Sequence, residues 1–584
     1  MSTPYTSRPI RVTIIGAGFH LSSHARFTIF EKSPKPGGTW FENRYPGCAC
    51  DVPSHLYQYS FKPNTEWSQF YASSSEIQRY LEDVIEEYEF GSFIRYNSLV
   101  THAKWDDDQG IWRTQIAANG SNVTVESEIL INAGGILNNP AMPVILGLDT
   151  FAGPILHTAA WDDTVALYGK RVAIIGAGAS AIQLLPAIQD HVKHADVFIR
   201  TPSWISPPVA LPVGVEKDHR YSEEEKQRFR DDAAEYLSMR KGLENQFNRM
   251  FGAFKRDGSE QAALRARFEG RMKSLIKDEN LQKKLIPSFE AGCRRINPGE
   301  EYLLALQEEN VSPIFDPIRE IVPDGVVMQD GKIHEADILI AATGFNTSFR
   351  PRFPIIGLDG VNLQDLWESN PVSYFGIAVS GFPNYLMFLG PNTPISNGSL
   401  MGPLEATSDY ITRLLLKLTR QSAKSFNIHP TVQADFDTHT QSYMQEMVWS
   451  GPCRSWFKNN VTGKVTALWP GSSLHYMQIL AEDRWEDYEW VYGERWNRFK
   501  YFNQGFSWIE RAGQDMLGVE MSRLRGASTV ADPNSDLSFY LENRDAVPLS
   551  SGRREKDEGE VVRRQEVQEV QEVQEGEVLE RART

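Results

Sequence analysis

Short apolar runs bounded by polar or glycine positions punctuate the first 345 residues. Positions 11–15, Arg26–Glu31 (RFTIFE), Glu128–Asn132 (EILIN), 171–175, Asp196–Arg200 (DVFIR) and Asp337–Ala341 (DILIA) each read as a short buried strand. The pattern changes over about 215–290. Charged stretches such as EEEKQRFRDDAAEYLSMRKGL and EQAALRARFEGRMKSLI carry a helical period there, which predicts a helical insertion. From 365 to 520 the pattern is mixed and aromatic-rich, with Trp449, Trp456, Trp469, Trp485, Trp490 and Trp496, as expected of cap and core around the first domain. Residues 551–584 carry RREKDEGE and then QEVQEVQEV. A period of three without aromatics cannot build a core, so about 526–584 reads as a disordered tail.

One pattern occurs twice. VTIIGAGF at 12–19 returns as VAIIGAGA at 172–179. A buried parallel strand ending in Gly-x-Gly opens a dinucleotide-binding βαβ unit, and two copies predict two nucleotide domains in one α/β chain.

Composition narrows the function classes. Hydrophobic residues make up 41% and charged residues 23% of the 584, an ordinary globular balance. Sixty basic against 76 acidic side chains give a net charge of −16, which argues against a general nucleic-acid or anionic-membrane binder. The N-terminus MSTPYTSRPIR has no apolar core of a secretory signal, and no apolar run reaches the length of a membrane span. The four cysteines, Cys48, Cys50, Cys293 and Cys453, are too few for a disulfide framework. A reducing, cytoplasmic setting is the simpler expectation, with Cys48 and Cys50 as packing residues and no metal site.

The second nucleotide unit is complete. Gly176 allows the tight turn, Gly178 lets backbone approach a pyrophosphate at a helix N-terminus, and Ala181 stands where a third glycine often does. Arg200-Thr201 closes the next strand, where an acid would suit NAD; a cation there suits the 2′-phosphate of NADP. The first unit has Gly16-Ala17-Gly18 after its strand and Glu31 at the end of the next, placed for the adenosine ribose of FAD. Only residues 17–25 (AGFHLSSHA) separate those strands, whereas a parallel crossover takes about a dozen residues or more. The expectation is a first unit without its crossover helix, and weak FAD binding as a result.

After Glu31 come Gly37-Gly38-Thr39-Trp40, Glu42-Asn43-Arg44-Tyr45-Pro46-Gly47, Asp51-Val52 and Tyr57. Between the two units, Phe151-Ala152-Gly153-Pro154-Ile155-Leu156-His157-Thr158-Ala159-Ala160-Trp161-Asp162 fits the fingerprint F-x-G-x-x-x-H-x-x-x-W-[PD]. Ala342-Thr343-Gly344, Cys293-Arg294-Arg295 with Glu301-Tyr302, and Arg454-Ser455-Trp456-Phe457 follow downstream. Over about 10–520 the chain resembles the flavin-dependent Baeyer–Villiger monooxygenases, especially the fungal ones of polyketide and mycotoxin pathways.

The resemblance implies two Rossmann-like domains. The FAD domain would take 8–150 and be completed, with a substrate cap, by 346–525; the NADP domain would take 151–345. It implies an FAD site on Gly16, Gly18, Glu31, Gly38, Thr39, Trp40, Phe41, Glu42, Asp51, Val52 and Tyr57. The NADP site would use Ala49, Cys50, Asp51, Gly176, Ala177, Gly178, Ala179, Ser180, Ala181, Arg200, Thr201 and Trp456, the last bordering the nicotinamide. His157 and Trp161 are fingerprint residues, the histidine coupling the domains. The implied reaction uses NADPH and O2 to place oxygen beside a ketone carbonyl. Arg295 would carry the catalytic charge and Asp51 would hold it, although such a pair can equally be a structural salt bridge. Two alternatives stand beside this reading: oxygenation at N or S, and a catalytically silent NADP-binding remnant. The ketone and the oligomeric state are not legible.

Overall fold

The computed structural model describes residues 10–16, 25–118, 120–207, 219–394, 396–493, 497–502 and 538. The expected break after Gly16, with Gly18 itself, lies outside the described residues, as does the C-terminal segment 526–584 apart from Ser538.

Two five-stranded parallel sheets form the frame. In one, strands run in the order Tyr385–Met387, Ile129–Asn132, Ile10–Ile15, Ala25–Phe30, Ile94–Arg95. In the other the order is Val311–Ile314, His194–Phe198, Arg171–Ile175, Ile338–Ala341, Ile155–His157. The strand Tyr385–Met387 adds the late part of the chain to the first sheet. The helix Met401–Arg420 covers that sheet, packing Tyr410, Ile411, Leu414 and Leu418 among Val12, Ile14 and Ile131. The second sheet is covered by the helix Ala179–Ile188, whose Ala181, Leu184 and Leu185 are fully buried.

The sequence repeat is a structural repeat with shared fastenings. Arg11 grips Glu128, which stands just before the neighbouring strand, with its Nε at 3.1 Å and its backbone N–H at 2.8 Å from Oε2. Arg171 grips Asp337 in the same way, with its backbone N–H at 2.8 Å and Nη2 at 2.7 Å. At each strand's end the glycine takes positive φ, 85° at Gly16 and 126° at Gly176. A Cβ would stand 2.7 Å from the Ala133 carbonyl oxygen in the first case and 2.4 Å from that of Ala342 in the second. Only glycine fits either turn.

The helical insertion is present as Glu223–Asp231, Ala233–Arg249, Ser259–Leu275 and Glu279–Leu285. A two-strand pairing of Ile205–Ser206 with Asn297–Pro298 closes its two ends together. One expected strand is displaced: Asp196 is not a flanking residue but lies inside His194–Phe198, buried. Its carboxylate is tolerated there because His334 Nδ1 and His194 Nε2 lie 3.3 and 3.4 Å from Oδ1.

The cysteine expectation needs correction. Cys293 and Cys453 are joined in a disulfide, 160 positions apart in sequence with Cα atoms 6.2 Å apart. The fold brings together two loops that spacing could not pair. Cys48 and Cys50 are free and buried, as packing residues. Among the described residues no helix is long and apolar enough to cross a membrane, and no cluster of ligating side chains could hold a metal.

Candidate active site

The loop 44–51 runs from the first sheet's side onto the helix Ala179–Ile188 of the second. Tyr45 donates its hydroxyl to Gln183 Oε1 at 2.7 Å, and Gln183 Nε2 donates to the Ala49 carbonyl at 2.9 Å. Gly47 has φ 81°, and a Cβ there would sit 2.5 Å from the Gln183 carbonyl oxygen. The loop can therefore lie flat on the helix, and it delivers Ala49, Cys50 and Asp51 to the junction.

Asp51 meets Arg295 there. Arg295 Nε and Nη2 donate to the two carboxylate oxygens at 2.7 Å each, a planar two-point grip. The Asp51 charge raises the guanidinium pKa above its ordinary value, against the opposing effect of burial. The cation is thus locked on, yet about 36% of its side chain stays accessible. Tyr57 lies beside this pair, and burial pushes its phenol and the Cys50 thiol up from their ordinary pKa values. Trp40 donates its indole N–H to the Tyr57 hydroxyl at 3.3 Å, with the rings edge to face. Trp40 and Phe41 ride on the one-turn helix Thr39–Glu42, entered through Gly37 and Gly38, both at positive φ. Glu42 pairs with Lys32. Val52 is buried behind them.

Glu31 follows the strand Ala25–Phe30. Its side chain is buried, with Oε1 accepting from the Ser33 backbone N–H at 2.8 Å. Gly16, at the end of the adjacent strand, donates its backbone N–H to the Phe30 carbonyl at 3.0 Å. In the second unit, no atom lies within 4 Å of where a Gly178 Cβ would be, and Gly178 precedes the first turn of Ala179–Ile188, with Ala179 and Ser180 in that turn. Backbone N–H groups and free space at a helix start fit a pyrophosphate. Ala177 is fixed by Ser203, whose hydroxyl donates to the Ala177 carbonyl at 2.8 Å.

Arg200 and Thr201 leave the strand His194–Phe198, with Arg200 exposed. The structure adds a second cation there that the sequence reading did not single out. Arg294 points the same way, its Nη1 3.5 Å from the Pro202 carbonyl. Burial and the Arg200 charge both lower its pKa. Among the described residues neither arginine is paired with a carboxylate. Two unneutralised guanidiniums at the strand end after a Gly-x-Gly turn fit a dianionic phosphate. The adjacent Arg294-Arg295 in the sequence was the available signal, but only the fold sends the two side chains to different partners.

The fingerprint residues are packed in and around the second sheet. Phe151 is buried under the second sheet and Trp161 in its main core. Gly153 is required because a Cβ would stand 2.3 Å from the Asp337 carbonyl oxygen. His157 Nδ1 accepts from the Ala159 backbone N–H at 3.0 Å, which leaves the proton on the buried Nε2. That side of the ring faces Ala141 and Gly344, and burial lowers the histidine's pKa. Ala141 and Gly344 belong to the two strands of chain that connect the sheets, and they are bonded to each other through Ala141 N–H to Gly344 O at 2.9 Å. Trp456 is half-buried, its ring 4.8 Å from that of Phe457, in a loop that Cys453 ties to Cys293.

A family model described as flavin-binding monooxygenase-like matches residues 26–258. The FAD-binding monooxygenase stcW of Emericella nidulans is 38% identical over 88% of this chain and 88% of its own length. A Baeyer–Villiger monooxygenase of Pseudomonas aeruginosa is 35% identical over 82% of this chain and 91% of its own. Among solved structures, the NADP+-bound cyclohexanone monooxygenase of Rhodococcus sp. Phi1 superposes with a TM-score of 0.72 at 27% identity, covering 83% of this chain and 99% of that one. With this fold and this extent of identity, the chain belongs to the flavin-binding monooxygenases, the family of enzymes to which these fungal and bacterial relatives belong.

Proposed function

We propose that this enzyme uses NADPH and O2 to insert an oxygen atom beside a ketone carbonyl, giving an ester or lactone, and that it serves secondary metabolism. The observation that carries the reading is the Arg295–Asp51 pair: a guanidinium fixed by two hydrogen bonds of 2.7 Å at the junction of two dinucleotide-type sheets, with part of its surface open.

When bound, FAD and NADPH supply the hydride transfer and the oxygen activation. The chain's own groups do the rest. Gly176 and Gly178 give the NADPH pyrophosphate its backbone seat, and Arg200 with Arg294 neutralises the 2′-phosphate. Glu31 accepts a hydroxyl of the FAD ribose. Trp40 and Tyr57 set the wall beside Asp51. Arg295 stays charged at any working pH, and it meets the negative charge that grows on the ketone oxygen as the carbonyl is attacked. Asp51 keeps that cation from turning away, offsetting the side-chain entropy that fixing a flexible arginine costs.

The test is made on the purified full chain. A bound-flavin absorption spectrum and conversion of a ketone to its ester, dependent on NADPH and O2, are expected. Paired ketone and sulfide substrates decide the reaction class: sulfoxide formation without ester from any of a panel of cyclic and aryl ketones would overturn the proposal, and a colourless protein after flavin reconstitution would favour a silent NADP-binding role.

A further inference from the structure

Cys293 immediately precedes Arg294 and Arg295, and Cys453 immediately precedes Arg454, Ser455 and Trp456. Both segments are irregular loops outside any sheet ladder or helix. Among the described residues no hydrogen bond or ion pair runs directly between 290–296 and 450–457, so the disulfide is the direct bond between them. Around it the loops are crowded. A Cβ on Gly451 would stand 2.9 Å from Glu290 Oε2 and 3.3 Å from Cys293 Sγ. The carboxylate and the sulfur therefore flank the same glycine, and that Glu290 oxygen is buried without a hydrogen-bond partner. Lys458 donates to the Gly451 carbonyl and Arg256 Nη2 donates to Ser450 Oγ at 2.9 Å, so two cations hold the chain two and three residues before Cys453. Cys453 is 4% exposed, but its neighbours Pro452 and Arg454 are exposed.

Given the function proposed above, we infer that Cys293–Cys453 is a reversible redox tether that positions the Arg294–Arg295 segment against the Trp456 loop, coupling NADPH oxidation to ketone oxygenation when closed. Opening takes a dithiol as reductant. Its two electrons break the S–S bond, its two protons end on the two sulfurs, and it leaves as its own disulfide. Closing takes hydrogen peroxide, which uncoupled turnover itself releases. One thiol becomes a sulfenic acid as the O–O bond breaks and water leaves; the second thiol displaces the hydroxyl as a second water, forming S–S.

The holoenzyme is compared with itself, oxidised with hydrogen peroxide or reduced with dithiothreitol and then desalted. Thiol titration after denaturation should find two thiols in the oxidised form, Cys48 and Cys50, and four in the reduced form. Peptide mapping should link the Cys293 and Cys453 peptides only in the first. With ketone present, reduction should raise the hydrogen peroxide released per NADPH oxidised by on the order of tenfold, since a small displacement of a positioned charge is costly. The rate of flavin reduction at saturating NADPH should hold. Cys453→Ser should behave like the reduced form and ignore both reagents. Four thiols in the peroxide-treated protein, or equal peroxide-to-NADPH ratios in two forms whose thiol counts differ, would overturn the tether. If neither form oxygenates any ketone while the thiol counts still switch, the proposed reaction fails and the tether is read from the KM for NADPH, which must then differ between the forms.

Discussion

Arg294 lies beside Arg200, and among the described residues no carboxylate pairs with either guanidinium. Like charges are brought together at a cost that an anionic ligand removes. The NADPH 2′-phosphate is that anion in the proposed function. Arg200→Ala and Arg294→Ala should each raise the KM for NADPH by roughly tenfold, the loss of a charge-assisted hydrogen bond, with little change for NADH. Steady-state kinetics with both cofactors check it. Equal losses for the two would place the 2′-phosphate elsewhere.

Arg295→Ala should leave NADPH-driven flavin reduction in place and lower ester formation by about 10²–10³-fold, the usual cost of removing a group that meets developing negative charge. Oxygen consumption should continue and appear as hydrogen peroxide. Asp51→Asn should do the same more mildly, because the cation remains but loses its charged partner. Stopped-flow reduction, oxygen uptake and product analysis separate these steps. Ester formation at the parent rate in Arg295→Ala would remove Arg295 from catalysis.

The chemistry legible in the sequence is the chemistry that is local in the chain. A strand ending in Gly-x-Gly is local in its spacing, and Gly176 does turn there at positive φ. The fingerprint is local in spacing, but its reasons are not: Gly153 is fixed by the Asp337 carbonyl, and His157 by two linkers that meet beside it. What could not be read depends on distant partners. Asp196 reads as the polar edge of a strand because nothing nearby announces His334. Cys293 and Cys453 read as separate thiols because the loops that join them lie 160 residues apart. Arg294 reads as the neighbour of Arg295, and its closeness to Arg200 of the second sheet appears only in the fold.

Gly153→Ala is the sharpest test of the fingerprint as a packing device. The added methyl would stand 2.3 Å from a backbone oxygen and 2.8 Å from the Phe151 ring, so backbone must move. A cost of about 1–3 kcal/mol is expected from overpacking, seen as a fall in melting temperature. Gly178→Ala is the contrast, with open space around its Cβ. It should melt near the parent temperature in the absence of cofactor and bind NADPH less well. Equal melting losses in both would mean that the two glycines do the same job.

His55 sets an acid limit on stability. It is fully buried, with Nδ1 2.9 Å from the Tyr236 hydroxyl, and its ring is packed edge-on by Tyr221, Phe229 and Tyr236 from the helical insertion. Burial, with a smaller contribution from the Arg240 charge, lowers its pKa from 6.5 to about 3. In the unfolded chain the ring returns to its ordinary value, so between those two pH values the unfolded state binds the extra proton. Stability then falls as pH falls below about 6.5, and the loss levels off only near 3. From pH 7 to pH 5 this one group should cost ~2 kcal/mol. His55→Phe keeps an aromatic ring in the aromatic surround, gives up the Tyr236 hydrogen bond, and removes the titration. The variant should be less stable than the parent at pH 7 and should lose less stability on acidification to pH 5. Denaturant melts of both proteins at the two pH values check the difference of differences, and parallel losses would show that His55 is not the group that titrates.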